Sequence, residues 1–402
     1  MFLRGINYWP INKAMYWWKA FNFEEAVHDF DKMTGYFNII RIFLNWEDFQ
    51  PRPDLISNKQ LDNLLELADL ADQKELLLMP TFFCGHMSGV NWLPPWMLMP
   101  STGQNRFPVF SEGHLVQASI RNFYNETDLM QAQMYQIEKV CSSLAGHPAI
   151  FAYDLGNEPS NCVQPRDRNS GRKWLKAMCD TIHKNSSSLV TLGMHAEDLE
   201  EDRCLWPQDA ARYCDFLCMH GYPFYLDWVS DPLDPDLITF LGLLTQYLGQ
   251  KEVLIQEFGA PTLPVIAPTS LLKAQADFYA SFSEAAIHQY YLRVMNRLQS
   301  HRFMGAMAWC FGDYHPELWT VPPLDENVHE RHFGLFRHDG TAKPALQVFN
   351  SQGIKNRDVE TFNPEALLHC LEQIGRDNYY RDPATHIRNL FTAYKTCQGE
   401  QQ

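Results

Sequence analysis

Eight short apolar segments, most of them followed by a longer amphipathic one, leave this 402-residue chain few ways to fold. The apolar runs lie at residues 4–8, 39–44, 76–82, 150–155, 189–193, 216–219, 253–256 and 305–309, and their length and composition suit buried strands. Helical periodicity fits residues 23–33, 61–73, 129–144, 171–184, 235–248 and 271–300. Strands that alternate with helices pair in parallel, and eight such units predict an α/β fold, a closed (β/α)8 or TIM barrel. In that architecture a site is assembled at the carboxyl ends of the strands. The barrel is expected over residues 1–350. The composition changes in residues 351–402, which predict a helical extension packed on the barrel, with helices at 363–374 and 386–397.

The strand ends collect polar and aromatic side chains. In chain order they give Trp9, then Arg41 with Trp46, His86, Asn157-Glu158, His195, His220 with Tyr222, Glu257, and Trp309 with Asp313 beyond it. The fourth end is the most informative. An apolar approach runs through Tyr153-Asp154-Leu155-Gly156 into Asn157-Glu158 and is stopped by Pro159. A carboxylate at the end of a buried strand is costly unless it is paired or used. Glu257 closes the seventh strand in the same way. Either one alone is as well explained by a structural ion pair. Together they are what retaining glycoside hydrolysis requires, with Glu158 as acid/base and Glu257 as nucleophile. Asn157 and Glu158 are neighbours, so both can face the cleft only if the strand ends or bulges there. An amide at Asn157 would suit a sugar 2-hydroxyl.

Two long loops flank these ends. The third, residues 83–125, carries Trp92-Leu93-Pro94-Pro95-Trp96 and predicts an ordered cover over the cleft. The eighth runs over residues 311–332, and a final barrel helix is expected from Pro344.

Bulk properties exclude several classes. The net charge is −15 and no basic stretch stands out, which argues against nucleic acid or an anionic membrane surface as partner. No run approaches the eighteen or so apolar residues of a membrane span. A strand-like segment begins almost at Met1, so no leader is expected. Of the ten cysteines, Cys218 and Cys310 fall in strand-like and Cys141 and Cys179 in helix-like stretches, and no pair has zinc spacing, which predicts buried thiols in a reducing, cytoplasmic compartment. No cofactor or metal is called for. The expected partner is a small-molecule carbohydrate.

With these residues in strand order, the chain resembles glycoside hydrolase family 5, over roughly residues 4–349. The resemblance implies a retaining β-glycosidase with Glu158 as acid/base, preceded by Asn157, and Glu257 as nucleophile. It implies that Arg41 supports the nucleophile, that His220 and Tyr222 form the sixth-strand His-x-Tyr, and that Trp309 floors the sugar site. His86 matches a third-strand histidine. Each fits elementary chemistry: Arg41 can hold Glu257 ionised, Tyr222 can donate to it, and His220 can bond near Glu158.

The expected substrate is a β-linked oligosaccharide, cut in an exo manner at β-mannosides or β-glucosides, with Trp92 and Trp96 walling off one end of the cleft. An endo-β-1,4-mannanase or glucanase, or a transglycosidase, would use the same residues. A metal-dependent barrel hydrolase is the alternative from another class, with His195, His220 and Asp313 as ligands. The first strand lacks the His-x-His that such a barrel needs. A non-catalytic sugar-binding barrel would have no use for both glutamates with Arg41 and Tyr222.

Overall fold

The computed structural model describes residues 2–103, 105–262, 281–350 and 365–399. Eight strands close a barrel: β1 (Leu3–Asn7), β2 (Ile39–Asn45), β3 (Leu77–Cys84), β4 (Ala152–Asn157), β5 (Leu189–His195), β6 (Leu217–Gly221), β7 (Val253–Phe258) and β8 (Gly305–Ala308). Every neighbouring pair is parallel, and β8 returns to β1. All eight predicted strands are present, within a few residues of the expected ends.

Among the described residues six long helices clothe the barrel: α1 (Phe23–Met33), α2 (Asn58–Gln73), α3 (Thr127–Ser143), α4 (Arg168–Asn185), α5 (Pro235–Gly249) and α6 (Glu284–Ser300). Five starts are chemically marked. The side chains of Asn22, Ser57, Asp167, Asp234 and Ser283 each accept a backbone N–H of the first turn. The expected start of α6, near residue 271, lies outside the described residues. Two units depart from the ideal repeat. Between β5 and β6 stand only single-turn helices, Glu197–Glu200 and Pro207–Ala210. After β8 a 3₁₀ segment, Pro344–Phe349, replaces the expected barrel helix and packs on α6.

Two further helices, α7 (Glu365–Ile374) and α8 (Pro383–Gly399), lie against the irregular β5–β6 side. Tyr379 and Tyr380 donate their hydroxyls to the carbonyls of Leu199 and Asp198. Tyr380 stacks on Trp206 at 4.2 Å, and Phe391 packs on Phe240 of α5.

Side chains alternate along each strand, so the barrel interior fills in layers. The layer at the amino ends is apolar, with Leu3, Ile39, Met79, Ala152, Cys218, Leu254 and Met307 in one cluster. Two residues further along β1, β2, β3, β4 and β7 come Asn7 (after Gly5), Arg41, Thr81, Asp154 and Gln256, all fully buried. The polarity of the interior thus switches along the barrel axis, toward the site. Among the described residues nine cysteines are free thiols, six of them buried. No described helix is long and apolar enough to cross a membrane.

Asp313, expected at the site, instead fastens the eighth loop. Its Oδ1 takes the Lys343 ammonium at 2.7 Å and the Gly334 N–H at 2.9 Å. The ion pair is nearly inaccessible, at 9% and 3% side-chain exposure. Removing one member strands the other charge, which costs about 3–5 kcal/mol. Lys343→Met should therefore lower stability to urea by roughly that amount, and adding Asp313→Leu should restore most of it. A Lys343→Met variant as stable as the native chain would show that the pair holds nothing.

Candidate active site

At the end of β4 the chain does what two inward-facing neighbours demand. The register against β5 slips between Asp154 and Asn157, and Gly156 takes φ +155°. Glu158 then adopts the left-handed region, φ +45° and ψ +51°, before Pro159 opens a 3₁₀ turn. A non-glycine residue held there is strained, on the order of 1–3 kcal/mol. The strain is balanced locally by the Glu158 N–H, which donates to the Gly193 carbonyl at 3.0 Å. A second slip, between β6 and β7, sets His220 opposite Glu257. It lets both Gln256 and Glu257 point inward.

Arg41 is the hub. Its guanidinium has no solvent exposure and is held on every edge. Nη1 donates to Glu257 Oε1 at 2.5 Å and to Asn7 Oδ1 at 3.1 Å. Nη2 donates to Asp154 Oδ2 at 2.8 Å and to Asn157 Oδ1 at 2.9 Å, and Nε to Thr81 Oγ1 at 2.9 Å. Asp154 is itself fixed by the Gly193 N–H at 2.8 Å and by Thr81 and Gln256. Burial works against the Arg41 charge, but Asp154 and Glu257 outweigh it and raise its pKa further. Tyr222 completes the Glu257 environment, its hydroxyl donating to Oε2 at 2.8 Å. Asn157 donates to the His86 carbonyl at 2.9 Å with one N–H of its amide.

The surroundings of Glu158 are different. His220 Nδ1 lies 2.9 Å from Oε1, and Asn161 donates to Oε2 at 2.9 Å. His195 Nδ1 stands 3.9 Å from Oε2. The Gln256 amide donates to the Asp154 carboxylate, so its oxygen faces His220 Nε2 at 2.8 Å and must accept from it. Nε2 therefore always carries a proton. The Nδ1–Oε1 contact then holds one exchangeable proton, on the imidazole or on the carboxyl. Burial resists charge on both groups. The histidines overcome it at Glu158 and lower its pKa, whereas Glu257 and Glu158 overcome it at His220 and raise that one. An unbound pair thus keeps its proton on His220.

A cavity of about 480 Å³ opens over these groups. Glu158, His220 and Glu257 bring ligand-type atoms within 4.8 Å of one another there. They are the set a cation would meet first, but each already faces a hydrogen-bond partner. The alternative ligand trio is not assembled, because Asp313 is bound to Lys343.

Direct hydrogen bonds join Arg41 to Asn157 and Glu257, Tyr222 to Glu257, and His220 to Glu158, and Gln256 and Asp154 link the two groups. Asn157, Glu158, His220, Tyr222 and Glu257 line the cavity, together with Trp309 and His86. His86 is tied to Asn91 at 2.9 Å, and burial lowers its pKa. Three tryptophans are corrections. Trp9 stacks on Phe43 at 5.1 Å inside the core. Trp46 donates to Gln50 and packs on Phe83 and Phe123. Trp92 donates to the Met87 carbonyl and packs on Phe110. The third loop does cover the cleft, but through His86, Ser88, Arg106 and Phe107. Trp92 and Trp96 are absorbed in packing that loop. Residues not singled out from sequence include Gln256 and Asp154, both in strand positions whose alternation marks them as inward-facing. Glu330 also lines the cavity, from a 3₁₀ turn in the eighth loop where no periodicity signals it.

No family model matches the chain. It is 23% identical to beta-glucuronidase from Felis catus over 190 residues, 46% of this chain and 26% of that protein. Beta-glucuronidase from Chlorocebus aethiops is 22% identical over 264 residues, 64% of this chain and 37% of that one. The chain thus spans well under half the length of these relatives. Among solved structures, the exo-beta-1,4-mannosidase Op5Man5 from Opitutaceae bacterium strain TAV5 superimposes with TM-score 0.69 at 24% identity, over 88% of this chain and 59% of that one. A GH5_18 protein from Streptomyces cattleya in complex with GlcNAc gives TM-score 0.77 at 19% identity, over 99% and 91%. A variant of it in complex with Manb1-4GlcNAc gives 0.70 at 18% identity, over 98% and 97%. Likeness at these identities establishes the barrel fold.

The electrostatics predict an imidazole titration. The His220 resonance should move at a pH above 6.5, because its charged form is favoured by Glu257 and Glu158. Glu257→Gln removes the larger of the two charge effects and should lower that pKa. An His220 pKa unchanged by the substitution would refute the coupling.

Proposed function

We propose that this chain is a retaining β-glycosidase of the glycoside hydrolase family 5 type, acting from the non-reducing end on short β-mannosides. One observation carries the reaction class. Oxygens of Glu158 and Glu257 lie within 4.8 Å of each other across the cavity. Retaining glycosidases hold their carboxyl groups about 5–5.5 Å apart, whereas inverting ones leave about 6.5–9.5 Å for a water. The environments assign the roles. Arg41 and Tyr222 both donate to Glu257, which suits it as the nucleophile. Glu158 exchanges a proton with His220, as an acid/base must.

The steps follow from that pairing. Glu257 attacks the anomeric carbon, and the proton held between His220 and Glu158 passes to the departing oxygen. As Glu257 becomes an ester its charge disappears, and with it the main influence that raised the His220 pKa. Proton release from the pair is thereby coupled to bond formation at carbon. Glu158, now ionised, takes a proton from water, which attacks the same carbon, and Glu257 leaves with the bonding electrons. The product keeps the configuration of the substrate.

The cavity supports exo action. The third and eighth loops are joined across one end of it, Ser88 donating to Glu330 at 3.0 Å and Asn327 donating to the Ser88 carbonyl at 2.8 Å. A longer chain would have no exit there. The preference for mannosides rests on the structural neighbours, an exo-mannosidase and a Manb1-4GlcNAc complex. The described free thiols support a reducing, cytoplasmic setting.

A panel of aryl β-glycosides tests this reading, with the mannoside expected to be turned over and Glu257→Gln inactive. Glu158→Gln should lose roughly 10²–10⁴-fold on alkyl mannosides and far less on dinitrophenyl ones, which need no acid. Equal losses on both would remove the acid role from Glu158.

A further inference from the structure

Glu330 is a buried carboxyl group in the cavity that the double displacement does not use. It is 7% exposed, on the segment Val328–His332 of the eighth loop. Its Oε2 accepts from Ser88 Oγ at 3.0 Å and from Trp309 Nε1 at 3.4 Å, and its Oε1 lies 3.4 Å from the Tyr225 hydroxyl, which is itself 2.7 Å from His329 Nε2, and 3.6 Å from that nitrogen. The Trp309 and Tyr225 contacts stand at the limit of hydrogen-bond distance, so a carboxylate with about four acceptor sites retains capacity. Burial, with a contribution from Glu257, pushes its pKa up to about 7.

Its location fixes what it can meet. The anomeric carbon must lie between Glu158 and Glu257. Glu330 is hydrogen-bonded to neither and sits beside the Trp309 edge, against the loop junction that closes the cavity. It therefore faces the hydroxyls of the terminal sugar that are remote from the cleaved bond. Asp325 and Glu326 of the same loop, both solvent-exposed, also line the cavity. Among the described lining residues the one arginine or lysine is Arg106. It belongs to the opposite side, paired with Glu197 and 3.3 Å from Asn161, the partner of Glu158. His329, next to Glu330, is kept neutral because burial lowers its pKa to about 4.

We propose that Glu330 is a specificity-determining residue that accepts hydrogen bonds from remote hydroxyls of the non-reducing sugar and, with Asp325 and Glu326, admits neutral hexosides while rejecting hexuronides. The inference rests on the glycosidase reading of the Glu158–Glu257 site. A site built to bond a hydroxyl discriminates strongly against an analogue that lacks it, because its own buried group is left unpaired.

The test pairs substrate deletions with one substitution. On the native enzyme, deoxy analogues of the accepted aryl hexoside identify which remote hydroxyl lowers kcat/KM by roughly 30-fold or more. In Glu330→Gln the parent substrate should lose a similar factor, and the same deoxygenation should then cost little more. The native enzyme should hydrolyse the matching aryl hexuronide at least about 100-fold more slowly than the hexoside. Independent, multiplying losses from deoxygenation and Glu330→Gln, or comparable rates on hexuronide and hexoside, would overturn the proposal. If no glycoside is turned over, the glycosidase reading itself fails. Calorimetry of the native protein with the free hexose and hexuronate still decides the second claim, which equal or tighter binding of the hexuronate contradicts.

Discussion

A guanidinium with no contact with water stands between two carboxylates, and the site is built outward from it. Placing Arg41 in the barrel interior incurs a large desolvation cost, which Asp154 and Glu257 offset only if the geometry is held. The polar layer supplies that holding. Asn7, Thr81 and Asn157 occupy the remaining donor directions of Arg41, and the Gly193 N–H and Gln256 fix Asp154. The order extends further through Gln256, whose amide orientation is set by Asp154 and in turn sets the tautomer of His220. Both glutamates are thus tied to one buried charge, Glu257 directly and Glu158 through four hydrogen bonds, by way of His220, Gln256 and Asp154.

The two glutamates are chemically identical in the unfolded chain and acquire opposite duties from their neighbours. Glu257 accepts from Arg41 and Tyr222, with His220 Nδ1 farther off, 3.5 Å from its Oε2. Glu158 sees an imidazole that can gain or lose a proton at the shared position. Separating the behaviour of paired titratable groups in this way is the general device by which acid and nucleophile coexist at one pH. In the proposed mechanism, loss of the Glu257 charge in the first step is felt at His220, so the two halves of the site are coupled electrostatically as well as structurally.

Much of this was legible from the residues. The eight strands, their parallel closure and the inward Asn157-Glu158 pair follow from apolar runs and the Gly-Asn-Glu-Pro ending, because those signals are local. The tryptophans were not legible in the same way. Trp9, Trp46 and Trp92 stand beside the strand ends in sequence, but their large faces are buried against Phe43, Phe83 and Phe110. Composition cannot tell a packed ring from a sugar platform. Asp313 misled for a similar reason, since its partner Lys343 is remote in sequence. Glu330 escaped notice because only the meeting of the third and eighth loops gives it a place.

The most direct measurement is to trap the covalent intermediate. Incubation with a 2-deoxy-2-fluoro β-mannoside bearing a good leaving group, followed by peptide mass analysis, should show one added fluoroglycosyl group per chain, attached to Glu257. Attachment at another residue, or turnover of the parent substrate with inversion and no adduct, would contradict the account.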